Sequence, residues 1–120
     1  MTLLTRVGFF RELRHGQADG PKLSEAIGPT AGIHDSALVE YLKSGVALMV
    51  APGIVRDVLA PGAGPIGSLS ILTDGTYARP SDLEHYVAVY HARLPVEFVT
   101  HAAEHGWKIR PVDKSTIKLG

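Results

Sequence analysis

Apolar spacing divides this chain into short elements punctuated by glycine and proline. FFRELRHG reads as a short helix that Gly16 closes, QADGP as a turn, and KLSEAIG as a second helical piece ending at Gly28. PTAGIHD is a loop. After it, Asp35 or Ser36 can cap a helix through Lys43, with Leu38 and Leu42 on one face and Val39 beside them. Gly45 stands where a left-handed residue would end that helix. VALMVA is a continuous apolar run between Gly45 and Pro52, which predicts a short buried strand. GIVRDVLAP fits a helical turn or a bent strand equally, and PGAGPIG is a loop.

SLSILT alternates, with Leu69 and Ile71 on one face of a strand and Ser70 and Leu72 on the other. Asp74-Gly75 then signals a hairpin, because both residues tolerate positive φ, and TYARP pairs back until Pro80 removes a donor. Ser81-Asp82-Leu83-Glu84 matches a capping box, in which the Ser hydroxyl and the Glu carboxylate each satisfy a free amide. Leu83, Tyr86, Val87 and Tyr90 follow at helical spacing, and that helix stops near Ala92. Pro95 opens another helix, with Phe98, Val99, Ala102 and Ala103 as its apolar stripe. Gly106 closes it and Trp107 packs back on the core. The expected fold class is α+β: a small antiparallel sheet of about three strands, N-terminal helices and a C-terminal helical pair.

Length and composition narrow the picture. At 120 residues, residues 1–120 form one expected domain, with 108–120 as a flexible tail. Twelve Lys and Arg balance twelve Asp and Glu, which argues against generic nucleic-acid binding, since that needs a surplus of cations. The tail cations Lys108, Arg110, Lys114 and Lys118 read as a solvated terminus. The absence of cysteine removes disulfides, thiol nucleophiles and thiolate metal sites. MTLLTRVGFF lacks the apolar run of a signal peptide, and the longest apolar run is too short to span a bilayer, so a cytoplasmic protein without membrane contact is expected.

Three motifs invite chemistry. His101 to His105 matches H-x-x-E-H, which on a helix sets two imidazoles one turn apart for zinc, but that class needs a further ligand downstream. The alternative is a pair of histidines favoured by the partial negative charge at a helix C-terminus. Gly62 to Gly67 matches G-x-G-x-x-G, yet Pro65 removes an amide and a strand follows where phosphate binding needs a helix. G-x-S-x-G is absent. No cofactor is expected. Within the hairpin-and-helix stretch, Asp74 serves the turn, Asp82 and Glu84 suit a helix N-terminus, and His85 falls on the outward face. Arg11, Glu12, Arg14 and His15 read as a self-neutralising exposed face.

The stretch from Ile71 to Trp107 resembles a pattern in small bacterial proteins of unassigned role. There a T-D-G hairpin leads into a helix with a Tyr pair, and a second helix runs from L-P to G-W. Thr73-Asp74-Gly75, Pro80, Tyr86, Leu94-Pro95 and Gly106-Trp107 match, whereas Tyr77 and Arg79 stand where Trp is expected. The resemblance implies an immunity-type protein that binds and blocks a toxin domain.

The leading expectation is therefore a non-enzymatic interaction module. Its partner-binding anchors would be Tyr77, Arg79, His85 and Tyr90, an aromatic-plus-Arg composition common in binding hot spots. The rival expectation is a small biosynthetic enzyme or ligand-binding protein, with Asp74, His91, His101 and Tyr86 doing acid–base work between sheet and helices. A third possibility is a homodimer through VALMVA, should that strand lie at a sheet edge.

Overall fold

The computed structural model describes residues 2–30 and 32–119. Met1, Ala31 and Gly120, which fall in the N-terminal reading, the PTAGIHD loop and the tail, lie outside the described residues. Among the described residues there are five strands and four α-helices. The strands are β1 (Thr2–Arg6), β2 (Val46–Arg56), β3 (Pro65–Thr73), β4 (Tyr77–Pro80) and β5 (Ile117–Leu119). The helices are α1 (Leu23–Ala26), α2 (Asp35–Lys43), α3 (Leu83–Tyr90) and α4 (Val96–Glu104). Short 3₁₀ turns occupy Pro61–Ala63 and Lys114–Thr116.

The α+β class stands, but the three-strand antiparallel sheet is corrected to a mixed five-stranded sheet ordered β2-β3-β4-β1-β5. The expected hairpin is there, with Leu72 opposite Arg79 and Thr73 opposite Ala78. Beside it, β1 runs parallel to both β4 and β5. Part of the 108–120 segment thus returns to the sheet: Ile117–Leu119 pair with Thr2–Leu4. The ambiguous GIVR resolves as a bent continuation of β2, with register shifts between Ala47 and Met49, between Ala51 and Ile54, and at Val55–Arg56.

Two apolar clusters flank the sheet. The larger packs Phe10, Leu13 and Leu23 with Leu38, Tyr41 and Leu42 of α2, Leu83, Tyr86 and Val87 of α3, and Phe98 and Ala102 of α4. Trp107 packs against it half-buried, as expected, at the left-handed φ of 60° that follows Gly106. The smaller cluster joins Leu4, Phe9, Ile71 and Ala78.

Four local expectations are corrected. FFRELRHG is a run of turns and not a helix. Its neighbours Phe9 and Phe10 belong to different clusters, which an α-helix, turning about 100° per residue, does not serve well. The VALMVA run is not a buried strand: Met49 and Val50 are exposed. The capping box does not form, because the Ser81 hydroxyl accepts from the Ser70 amide at 2.9 Å and donates to the Ser68 carbonyl at 3.1 Å. α3 accordingly starts later, at Leu83, with Asp82 at its N-cap and no side-chain cap bond. Finally, Arg79 does not reach outward; its residue exposure is 1%.

Arg79 joins sheet to helix. Its Nη2 donates to the carbonyl of Ser44 and lies 3.4 Å from that of Tyr41 and 3.5 Å from that of Leu42, all at the C-terminus of α2. Its guanidinium sits 5.7 Å from the centre of the Tyr41 ring. A cation there suits the negative end of the helix dipole. Gly45 is required twice over: its φ is +126°, and a Cβ would lie 2.7 Å from Arg79 Nη2. Arg79→Ala is expected to destabilise the fold by about 3 kcal/mol or more, since it strips α2 of its C-terminal donor and opens a cavity. Urea denaturation reads this directly, and a loss below about 1 kcal/mol would show that the guanidinium does not anchor α2.

Candidate functional site

Four carboxylates engage four histidines at separate places. The β2 strand ends at Arg56, and Asp57 follows, buried. Its Oδ1 accepts from the amides of Leu59 at 2.8 Å and Ala60 at 3.1 Å, an Asx-type turn that redirects the chain toward Pro61. Its Oδ2 meets His85 Nε2 at 2.8 Å and accepts from Tyr90 Oη at 2.7 Å, both on α3. Burial pushes the Asp57 carboxyl up, but the bonds from His85, Tyr90 and the Leu59 amide outweigh it and hold it below the ordinary carboxylate range. The Tyr86 hydroxyl accepts from the Val58 amide at 3.1 Å; burial chiefly, with the nearby Asp82 and Asp57 charges, pushes it up to about 12.

Asp74 anchors the hairpin turn. Its Oδ1 accepts from the amides of Thr76 and Tyr77 at 3.0 and 2.8 Å. Its Oδ2 accepts from Tyr41 Oη at 2.5 Å and lies 3.4 Å from His101 Nε2. Burial and the Asp74 bond raise the Tyr41 hydroxyl well above its ordinary value. Elsewhere, His15 Nε2 lies 3.1 Å from each oxygen of Asp82. His91 Nδ1 faces Asp35 Oδ2 at 3.5 Å.

The residues proposed for acid–base work are thus divided. Asp74 and His101 meet. His91 lies with Asp35 beside a shallow hollow of about 440 Å³ bordered by Ile27 and Val89, and Tyr86 serves the Asp57 turn. The partner-binding set changes character too. Arg79 is buried, and Tyr77 packs its ring edge-on to Phe98 at 5.1 Å. His85 and Tyr90 are half-buried on Asp57, so His85 is not on a free outward face. None of the four is a freely exposed anchor. The His101 and His105 rings stand 4.4 Å apart, with His105 Nδ1 at 2.7 Å from the His101 carbonyl. Among the described residues no group of three or more His, Asp or Glu side chains is arranged to hold a metal ion, and no helix is long and apolar enough to cross a membrane.

A surface that the sequence reading missed lies on the β2–β3 arm. β2 is one of the two edge strands of the sheet, the condition set for the homodimer possibility. β4 covers only Ile71–Thr73 of β3, so among the described residues the outer part of the arm has two strands and no third. Val50 is 71% exposed, Ile54 63%, and Met49 and Pro52 are exposed beside them. Between this arm and the Leu13–His15 turn runs an open groove of about 540 Å³. Its apolar lining is Leu13, Ile54, Val55, Val58 and Leu69, and Arg14, His15 and Arg56 supply its polar side chains. The signal was present as the longest apolar run in the chain; what was missing was that no helix returns to cover it.

No family model, curated protein or solved structure matches this chain.

Asp57→Asn is expected to cost about 2–4 kcal/mol near neutral pH, because it weakens charge-assisted bonds to His85 and Tyr90. The native carboxyl is held below its unfolded value of about 3.9. Its contribution is therefore complete above that value and is lost as pH falls through the folded one. The stability gap between wild type and variant, followed by urea denaturation, should narrow from about pH 5 to about pH 3. A constant gap would mean that the charge on Asp57 is not what the turn depends on.

Proposed function

We propose that this protein is a non-enzymatic interaction module that binds another protein through the β2–β3 arm, and that it acts as an immunity-type inhibitor of a toxin domain. The observation that carries the reading is the uncovered arm: Met49, Val50 and Ile54 are all exposed on it, and Ile54 also lines the groove. Apolar patches of this kind mark protein contacts more often than chance exposure does. The resemblance around Thr73-Asp74-Gly75, Leu94-Pro95 and Gly106-Trp107 supports the immunity-type part. The dispersal of Asp57, Asp74, Asp82 and Asp35 onto four different histidines favours a binder over an enzyme, since two of the pairs, Asp82–His15 and Asp57–His85, are hydrogen-bonded and already fasten two elements together.

The site of contact moves accordingly from Tyr77 and Arg79 to the arm. A photo-crosslinking residue at Val50 should capture one protein in cells of the native host, whereas one at the exposed Thr100 of α4 should not. Val50→Asp with Ile54→Asp should weaken the purified complex about 30-fold or more, as loss of central apolar contacts does. The melting temperature should stay within about 2 °C, because neither side chain is packed. Equal capture from both positions, or unchanged affinity in the double variant, would sink the reading.

A further inference from the structure

The groove between the β2–β3 arm and the Leu13–His15 turn carries a charge imbalance that the neutral whole chain conceals. Arg14 and Arg56 flank it, and among the described residues neither guanidinium has a carboxylate partner. The nearby acids are committed elsewhere. Both oxygens of Asp82 face His15 at 3.1 Å. Asp57 holds His85, Tyr90 and two amides. Glu12, two residues from Arg14, accepts from the Leu23 and Ser24 amides at 2.7 and 2.8 Å, where it satisfies the first turn of α1. Two unneutralised guanidiniums therefore border an apolar trough.

The backbone of the trough is also bare on one side. Gly53 lines it at a φ of +109°, and a Cβ built there would meet nothing within 4 Å. Gly53 falls within the register shift between Ala51 and Ile54, and its lack of a side chain leaves room there for an approaching chain. The outer edge of β2 is poorly suited to plain strand addition, because Pro52 and three register shifts interrupt it. An incoming segment is therefore expected to lie against the face of the arm and to meet side chains more than an unbroken ladder.

We infer that this groove docks an acidic, aliphatic polypeptide segment of the partner protein. Its aliphatic side chains would lie on Leu13, Ile54 and Leu69, and its carboxylates on Arg14 and Arg56. The inference rests on the interaction-module reading and deepens it by naming the chemistry of the bound segment. Guanidinium groups pair with carboxylates in a bidentate fork, so the two Arg would fix register as well as attract. Against a second copy of this chain the same groove would present Arg to Arg across a two-fold axis, which disfavours a symmetric dimer through this face.

The test uses the full chain and a random peptide library displayed on phage. Selection on the wild type should enrich peptides in which Asp or Glu accompany Leu, Ile or Val, and selection on Arg14→Glu with Arg56→Glu should turn to Lys- and Arg-bearing peptides. A synthetic copy of the best wild-type peptide should bind the double variant at least about tenfold more weakly, and its affinity for the wild type should fall with added salt. Lys108→Glu with Lys114→Glu, which reverses two charges away from the groove, should change affinity less than about twofold. The inference is overturned by enrichment of neutral or basic peptides on the wild type, by failure to enrich any, or by an equal loss in the control pair. None of these outcomes touches capture at Val50, so a partner trapped there with a non-acidic contact segment would defeat this inference and leave the interaction reading standing.

Discussion

A guanidinium held inside the protein sets the terms for the elements around it. Taking a cation out of water costs several kcal/mol even after relaxation, and Arg79 is almost wholly enclosed. Three features offset that cost. The last carbonyls of α2 converge on Nη2, the Tyr41 ring lies under the charge, and the Asp74 carboxylate favours the charged form. Among the described residues its Nε and Nη1 have no hydrogen-bond partner, so the compensation is incomplete and strongly one-sided toward α2. Each compensating feature then constrains a neighbour. Position 45 has to be glycine, Tyr41 has to present its hydroxyl to Asp74, and Asp74 brings His101 and hence α4 to the hairpin. One buried charge thereby links β4, α2, the β3–β4 turn and α4.

Legibility in the sequence follows the range of the interactions. The β3–β4 hairpin was readable because Asp74-Gly75 decides it within four residues. α2, α3 and α4 were readable because their apolar stripes repeat locally, and their starts and ends shifted only by the few residues that caps control. β1 and β5 left no such trace. Each is short, and each pairs in parallel with residues far along the chain: Thr5 with Tyr77, Thr2 with Ile117. Parallel pairing has no turn to announce it. The failed capping box has the same origin. Ser81 and Glu84 suit a helix start, but Ser70 and Ser68 on β3 claim the hydroxyl first. Parity on β4 was right and its direction was not: Tyr77 and Arg79 do share a face, but β4 is a central strand and that face looks into the larger core.

The candidate chemistry was less legible still, because residue type does not reveal whether a side chain is committed. Six histidines and twelve acids allow many acid–base pairings on paper. In the fold, His15, His85, His91 and His101 each lie against a different aspartate, and each pairing brings together segments distant in sequence. Asp57 shows this most fully. Nothing marked RDVLAP beyond an acid before a turn, yet two of its partners shape that turn and the other two, His85 and Tyr90, fasten the end of β2 to α3.

The uncovered arm follows from a mismatch of strand lengths. β2 and β3 stay paired from Val46–Thr73 out to Arg56–Pro65, whereas Pro80 ends β4 opposite Ile71. Beyond that point no third strand can continue, because the chain turns into α3 and commits Ser81 to the sheet. The larger cluster is centred on the helices and touches the far end of the arm at Ile66, where Asp57 also fastens β2 to α3, so the stretch in between, around Met49–Ile54, is left exposed. Its apolar residues are therefore exposed as a consequence of topology, and no conservative repacking of the existing helices would hide them. Pro52, Gly53 and the register shifts limit what can be done with that exposure: they interrupt the edge along which further strands would add without limit. What remains available is a face with a groove, bordered by two arginines that have no carboxylate partner among the described residues. The proposed recognition of a partner would rest on these properties, discrimination by side chain and by charge.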